Sequence, residues 1–284
     1  MINNEFAQIG SDLVFKVTLP CMLFVKLVQV SFDKPPITLV AYGLASTFIA
    51  FLILELVVAP RLVKADRSAF VQGSFRSNMG IIGLAFCINA YGDGVLVIVS
   101  VYLAFVTVLY NILSMITLTR HQLIDGQAPT LGKTLSGIIR NPIILSILLA
   151  ISLSLLSYRP PDFLITTLDY VGSMSMPLAL LCIGASIRWR DFQASANLYW
   201  ATLAKLFLVP GFITLGGILI GLRGESLGVL YLMSSAPSAT AGYAMLRGIG
   251  GNHYLGAAII ATTSLASVFA ITLGLFILRA YNLA

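Results

Sequence analysis

Apolar residues in this chain come in long unbroken runs, not in the spaced stripes of a water-soluble helix. Runs at 35–54, 94–119, 226–246 and 254–278 contain no charged residue. Shorter charge-free runs lie at 77–92, 141–158, 170–187 and 206–222. A helix that crosses a bilayer needs about 20 mostly apolar residues, so the first four qualify outright and the others stand near the limit. A membrane barrel would alternate apolar and polar positions. Continuous apolarity reads as helix, which satisfies its own backbone in lipid. The pattern predicts nine helices, near 6–29, 36–58, 74–91, 94–118, 137–158, 163–187, 197–221, 225–246 and 254–279. The longest polar connections are 59–76 and 119–136.

Composition strengthens this reading. Of 284 residues, 58% are hydrophobic and 10% charged, against about 25% charged in a soluble domain. Lipid must be the solvent of such a chain. The expected fold class is an all-α polytopic membrane protein of the cell (inner) membrane, with no separate soluble domain. Lysine and arginine divide unequally between alternate loops. Ten, from Arg61 to Arg247 and including Arg76, fall on one side, and four (Lys34, Arg159, Arg223 and Arg279) on the other. That bias places Met1 in the cytoplasm and Ala284 outside. The net charge of +6 reflects these loops rather than a nucleic-acid partner. Cys21, Cys87 and Cys182 lie in hydrophobic segments without CxxC spacing and read as small buried side chains. His121 and His253 occupy different loops, so neither a metal site nor a cofactor is expected. Glu5 and Asp12 stand where a signal peptide would need its basic region.

An internal repeat organises the runs. Asp12 precedes Pro20 by eight residues, as Asp169 precedes Pro177, and Leu23 matches Leu180 at the same offset of 157. Gly83 and Gly92 match Gly242 and Gly251 at an offset of 159. Matched helices are separated by an odd number of spans, so the two copies are expected to be inverted, as in many secondary transporters. The first copy occupies 1–118 with four helices. A cytoplasmic linker follows at 119–136, and a second copy at 137–284 has five. The partner of the helix at 137–158 would fall just upstream of Met1. Either the first copy lost it or the reading frame begins late, and the late start is the favoured expectation.

Two repeat-related segments carry the strongest candidate chemistry. Residues 74–92 contain Asn78, Gly80 and Gly83; residues 233–251 contain Pro237, Ser238, Thr240 and Gly242. Proline removes a backbone donor and disfavours helix at the residue before it. Small and hydroxylated residues let a helix break within a membrane or let two backbones pass closely. A break would expose N–H groups and a positive dipole end, which suits a carboxylate; close packing alone is the other reading. Asp12, Lys16, Lys26, Asp169 and Lys205 are ionisable positions within helices. Each would cost about 2.5–3.5 kcal/mol at a helix centre without a partner or water. Asp12 and Lys16 are spaced to neutralise each other, and Lys26 can snorkel. Asp169, two turns before Pro177, and Lys205, five residues before Pro210, are candidates for gating or ion coupling, with a structural ion pair or water exposure as alternatives. Pro20 and Pro177 are candidate helix-break prolines.

Two motifs are discounted. GQAPTLGKT at 126–134 has five residues between its glycines where a nucleotide-binding P-loop needs four, so no bound ATP is expected. Asp93 and Asp169 suggest a paired-aspartate protease, but Asp93 sits in a Gly-Asp-Gly turn. The chain is not expected to be an enzyme.

The segments NMGIIGLAFCINAYG (78–92), VYLAFVTVLYNILS (101–114), RNPIILSILLA (140–150), MPLALLCIGASI (176–187) and SAPSATAGYAMLRGIGG (235–251) carry a family resemblance. The chain resembles the auxin efflux carrier family of membrane transporters, which includes bacterial malate and malonate permeases. The resemblance implies ten helices in two inverted five-helix repeats, with the fourth and ninth broken and crossed and an organic anion bound beside the crossing. It assigns Asn78, Gly83, Ser238 and Thr240 to that site. Ala85 stands where many members have proline, and the first family helix has no counterpart. The expected function is secondary transport, as a permease or efflux carrier, of a small organic anion such as malate, malonate or an auxin-like weak acid. Coupling to a proton or sodium is possible on this reading, and so is an oligomer. The alternative is a sodium- or proton-coupled carrier of another cargo, a bile-acid-like anion or an exchanged cation, on a similar fold.

Overall fold

The computed structural model describes residues 4–28, 36–121, 142–156, 158–175, 177–178, 181, 195–249 and 251–284. Most of the 119–136 linker, the 176–187 segment apart from Pro177, Leu178 and Leu181, and Lys133, Arg140, Cys182, Arg188 and Arg190 lie outside them.

The described residues are almost wholly helical and contain no strand. Helix α1 covers 4–28, α2 Ile37–Arg61, α3 Lys64–Phe75, α4 Met79–Tyr91 and α5 Asp93–Arg120. After the linker come α6 (Pro142–Leu155), α7 (Asp162–Ser173), α8 (Ala196–Leu219), α9 (Gly224–Ser235), α10 (Ala241–Ile249) and α11 (His253–Ala280). Helices α2, α5, α8 and α11 are each long and apolar enough to cross a membrane. Their outer faces carry exposed Phe48, Phe105, Phe212 and Phe269, the side chains that lipid would cover.

The two spans that carry the candidate chemistry are both interrupted. The expected helix at 74–91 begins at Lys64 and breaks after Phe75; the one at 225–246 breaks after Ser235 and runs on to Ile249. The expected polar loop at 59–76 is largely α3, and from Ser68 to Phe75 that helix is buried. Gln72, Ser74 and Asp66 made it look solvent-exposed, but it is enclosed by protein rather than lipid. Arg76, assigned above to a cytoplasmic loop, is buried at the break, and Lys64 and Arg67 of the same expected loop lie in α3.

The intact helices bend by a common device. Turns widened to π-helical geometry occupy Val14–Thr18, Ile53–Val58 and Ala204–Leu208. Each ends two residues before a proline: Pro20, Pro60 and Pro210. Proline has no N–H and clashes with the carbonyl four residues back; widening the preceding turn accommodates both. The chain therefore stays helical through Pro20, and Leu178 beside Pro177 still donates to Met174 O at 3.1 Å. A fourth wide turn, Met79–Gly83, precedes Ala85 by the same two residues.

Helix α1 packs on α6 and α7, and α1 and α6 lean on α5. The remaining helices surround the two broken spans: α3 touches α8 and α11, and α9 touches α4, α8 and α11. Tyrosines seat on glycines at these contacts. Tyr42 packs on Gly216 and donates to Ile213 O at 2.8 Å; Tyr231 packs on Gly274 and donates to Ala270 O at 2.9 Å. At one end of this group Asp66 accepts from Asn197 and Asn252, both at 2.7 Å. It thereby ties the starts of α3, α8 and α11, and Asn252 also caps α11 through Leu255 N. Hydrogen bonds to a charged group contribute about 1.5–3 kcal/mol each. Asp66→Ala is expected to lower the melting temperature by several degrees, and Asp66→Asn by less. Equal melting of all three proteins would show the tie to be unimportant.

Candidate functional site at the helix crossing

The two breaks meet. Arg76 and Ala236 are extended, the latter as expected before Pro237. Ser77 and Ser238 form an antiparallel bridge. Asn78 N–H donates to Pro237 O at 2.7 Å, and Ala239 N–H donates to Arg76 O at 3.1 Å. Ser238 N–H donates to Thr263 Oγ1 of α11 at 3.1 Å. Groups freed by one break are thus satisfied by the other, as backbone at membrane depth requires. Gly83 permits the approach: a Cβ there would lie 2.9 Å from Met233 Sδ on α9 and 3.4 Å from Ala236 Cβ at the break that follows it. Gly242 likewise brings α10 against Gln72 of α3.

Beside the crossing a cavity opens, lined by Arg76, Asn78, Gly80, Thr107, Tyr110 and Ala239 among others. The Arg76 side chain is only 7% exposed. Its Nη2 donates to Asn111 Oδ1 at 2.8 Å, and its Nη1 donates to Ser114 Oγ at 3.2 Å and to Met245 Sδ at 2.9 Å. All three acceptors are neutral, and no carboxylate among the described residues pairs with this guanidinium. The Asn78 Nδ2 is buried with no acceptor. Met79, Gly80 and Ile81, the first turn of α4, face the same space, and a helix N-terminus carries partial positive charge. The cavity therefore offers an uncompensated cation, an idle amide donor and a positive helix end. That set can receive an anion.

Lys205 lies at the same crossing. Its side chain is fully buried. Nζ donates to Ser77 Oγ at 2.6 Å and to Ser234 O at 2.7 Å. Ser77 Oγ donates in turn to Ser234 O at 2.8 Å and accepts from Tyr110 at 3.3 Å.

The sequence-derived candidates separate into groups. Asn78 and Gly80 line the cavity; Gly83, Pro237, Ser238 and Gly242 build the crossing without lining it, and Thr240 leads into α10. Asp12 and Lys16 form an ion pair at 2.6 Å on the exposed side of α1. Asp169 is exposed on α7 and does not line the cavity. Asp169→Asn is accordingly expected to leave transport and its pH dependence within about twofold of the parent; a flattened pH profile in a liposome flux assay would contradict this.

Arg76, Ser77, Thr107, Tyr110, Asn111 and Ser114 were not singled out from sequence. A signal was present: 107, 110, 114 and 117 are polar at helical spacing along one face of an otherwise apolar run. Glu55 was also passed over. It is buried near the end of α2, accepts from Thr117 at 2.7 Å, and has His121 Nε2 at 2.8 Å and Arg120 Nε at 3.5 Å.

The Membrane transport protein family matches residues 1–275. The chain belongs to that family. This bears out the resemblance to auxin efflux carriers and makes the protein an integral membrane transporter of a family that is not one of enzymes. The transporter is 23% identical over 215 residues to a protein of Escherichia coli (strain K12) named uncharacterized transporter YfdV. The match covers 74% of this chain and 67% of the relative. Counterparts with that name in Escherichia coli O157:H7 and Shigella flexneri match the transporter equally.

Proposed function

We propose that this transporter is a secondary carrier of a small organic anion, and that Arg76 and Asn78 receive its carboxylate beside the crossing. The observation behind the proposal is the buried guanidinium with only neutral partners. A desolvated cation costs several kcal/mol unless compensated, and an anionic cargo would supply the missing charge when bound. Malate, malonate and auxin-like weak acids are the cargo classes to try first. Transport would proceed by alternating access, with the group around the crossing moving against the α1, α6 and α7 panel. The two breaks fall at corresponding places in the inferred inverted copies, which favours that architecture. A monovalent anion crossing 100 mV exchanges about 2.3 kcal/mol with the membrane potential, enough to bias the cycle without ATP.

Cation exchange is less well supported, because no acidic side chain among the described residues lines the cavity. The test is a melting-temperature screen of the purified protein against mono- and dicarboxylates, since a ligand specific for the folded state raises the melting point. Stabilisation by one carboxylate class, lost in Arg76→Gln, supports the reading. A screen in which no carboxylate stabilises the protein sinks it.

A further inference from the structure

The geometry points to Lys205 as a tethered counter-ion: its ammonium fills a cation position between the end of α9 and Ser77, so the crossing needs no dissolved metal cation to close. Ser234 O belongs to the last turn of α9 (Gly224–Ser235), the negative end of that half-helix. Carbonyl oxygens at half-helix C-termini, joined by hydroxyls, are the ligands with which broken-helix carriers hold sodium. Here a carbonyl and a hydroxyl converge at 2.7 and 2.6 Å on one nitrogen. No carboxylate among the described residues lies within ion-pair distance of it. The ammonium therefore answers a helix end and a hydroxyl, not an acid.

The stem is held in place as firmly as the charge. Lys205 lies in the widened turn Ala204–Leu208, where Ala204, Lys205 and Leu206 are all buried. The side chain is delivered from α8 into the junction of the two broken spans and is itself fully enclosed. A covalently held cation cannot dissociate during the cycle. Its nitrogen stays at the crossing, whereas a dissolved cation would couple its own gradient to transport.

The experiment measures melting of the purified full chain in sodium, potassium, methylammonium and choline chlorides at one ionic strength, with no carboxylate present. Its outcome is then independent of which anion the cavity takes. The parent is expected to melt at the same temperature in all four salts. Lys205→Ala is expected to melt several degrees lower in choline and to regain part of that loss, saturably, in methylammonium or sodium. Lys205→Met fills the volume with an apolar side chain and is expected to show no such recovery. If Lys205→Ala is recovered folded only when purified in methylammonium or sodium, the tethered-cation reading holds. Failure to recover it in any salt overturns that reading, as does a parent stabilised by sodium over choline, or a Lys205→Ala protein indifferent to the salt.

Discussion

Arg76→Gln is expected to weaken carboxylate binding by about 30- to 3000-fold while leaving the ligand-free protein at least as stable as the parent. Removing one partner of a buried charge pair costs about 2–5 kcal/mol of binding, and each 1.4 kcal/mol is roughly tenfold. Stability should move the other way. In the free protein the guanidinium is desolvated and rests on Asn111, Ser114 and Met245, none of them charged. A shorter neutral amide gives up part of these hydrogen bonds but also removes the charge penalty. A residue kept for function at a cost in stability shows this opposition, and a purely structural arginine would not. Arg76→Lys should be intermediate, because it keeps the charge but loses the planar fork. Binding and melting must be measured on the same preparations. A variant that binds like the parent removes Arg76 from the site. One that merely unfolds makes it a structural residue.

The second large effect is expected at Gly83. Gly83→Ala should be tolerated, because its Cβ meets chiefly the Sδ of Met233, the mobile part of a flexible side chain. Gly83→Val adds two further methyl groups facing α9, near Ala236 Cβ and the Met233 backbone. Overpacking of this kind costs about 1–3 kcal/mol and occasionally more. Here it would fall on the short hydrogen bonds that join the breaks, Asn78 N to Pro237 O and Ala239 N to Arg76 O. Prising these apart at membrane depth leaves backbone groups without water to replace the partner. Gly83→Val should therefore lose transport altogether and much of its melting temperature. Met233→Ala in the same protein should restore part of both. Equal behaviour of the alanine and valine variants would show that α4 and α9 are not held at this distance.

Much of the helical layout was legible because lipid-facing surface is apolar: α2, α5 and α11 announce themselves as long continuous runs, whereas Lys205 left α8 only a shorter one and the long run at 226–246 proved to be interrupted. The breaks were legible from Pro237 and from the small residues around Asn78. Helix α3 was not. Hydropathy registers contact with lipid, and α3 is enclosed by other helices. Its Ser68, Gln72 and Ser74 therefore cost nothing in lipid and read as loop. Arg76 was lost with it, counted among cytoplasmic loop charges although it stands two residues before Asn78. Lys205 was recoverable because a lysine in the middle of an apolar helix has few explanations. Asp169 looked equivalent by the same rule, yet it is exposed on α7. Sequence gives an ionisable residue's depth along a helix but not its direction around the helix axis.

Rotational phase is also what the widened turns determine. A π turn holds one residue more than the helix needs, which offsets the two halves of the span by about 100°. Along α8 the buried positions are 198 and 201, then 204, 205 and 206 in the widened turn, then 209, 210, 213, 214 and 217. Ile213 is thus enclosed while Phe212 faces out. Pro210 and its preceding bulge therefore act as a clutch between two gears. The half that presents Lys205 to the crossing and the half that receives Tyr42 are cut to different angular settings. A one-residue deletion between 204 and 208 would leave either half intact and disengage one from the other.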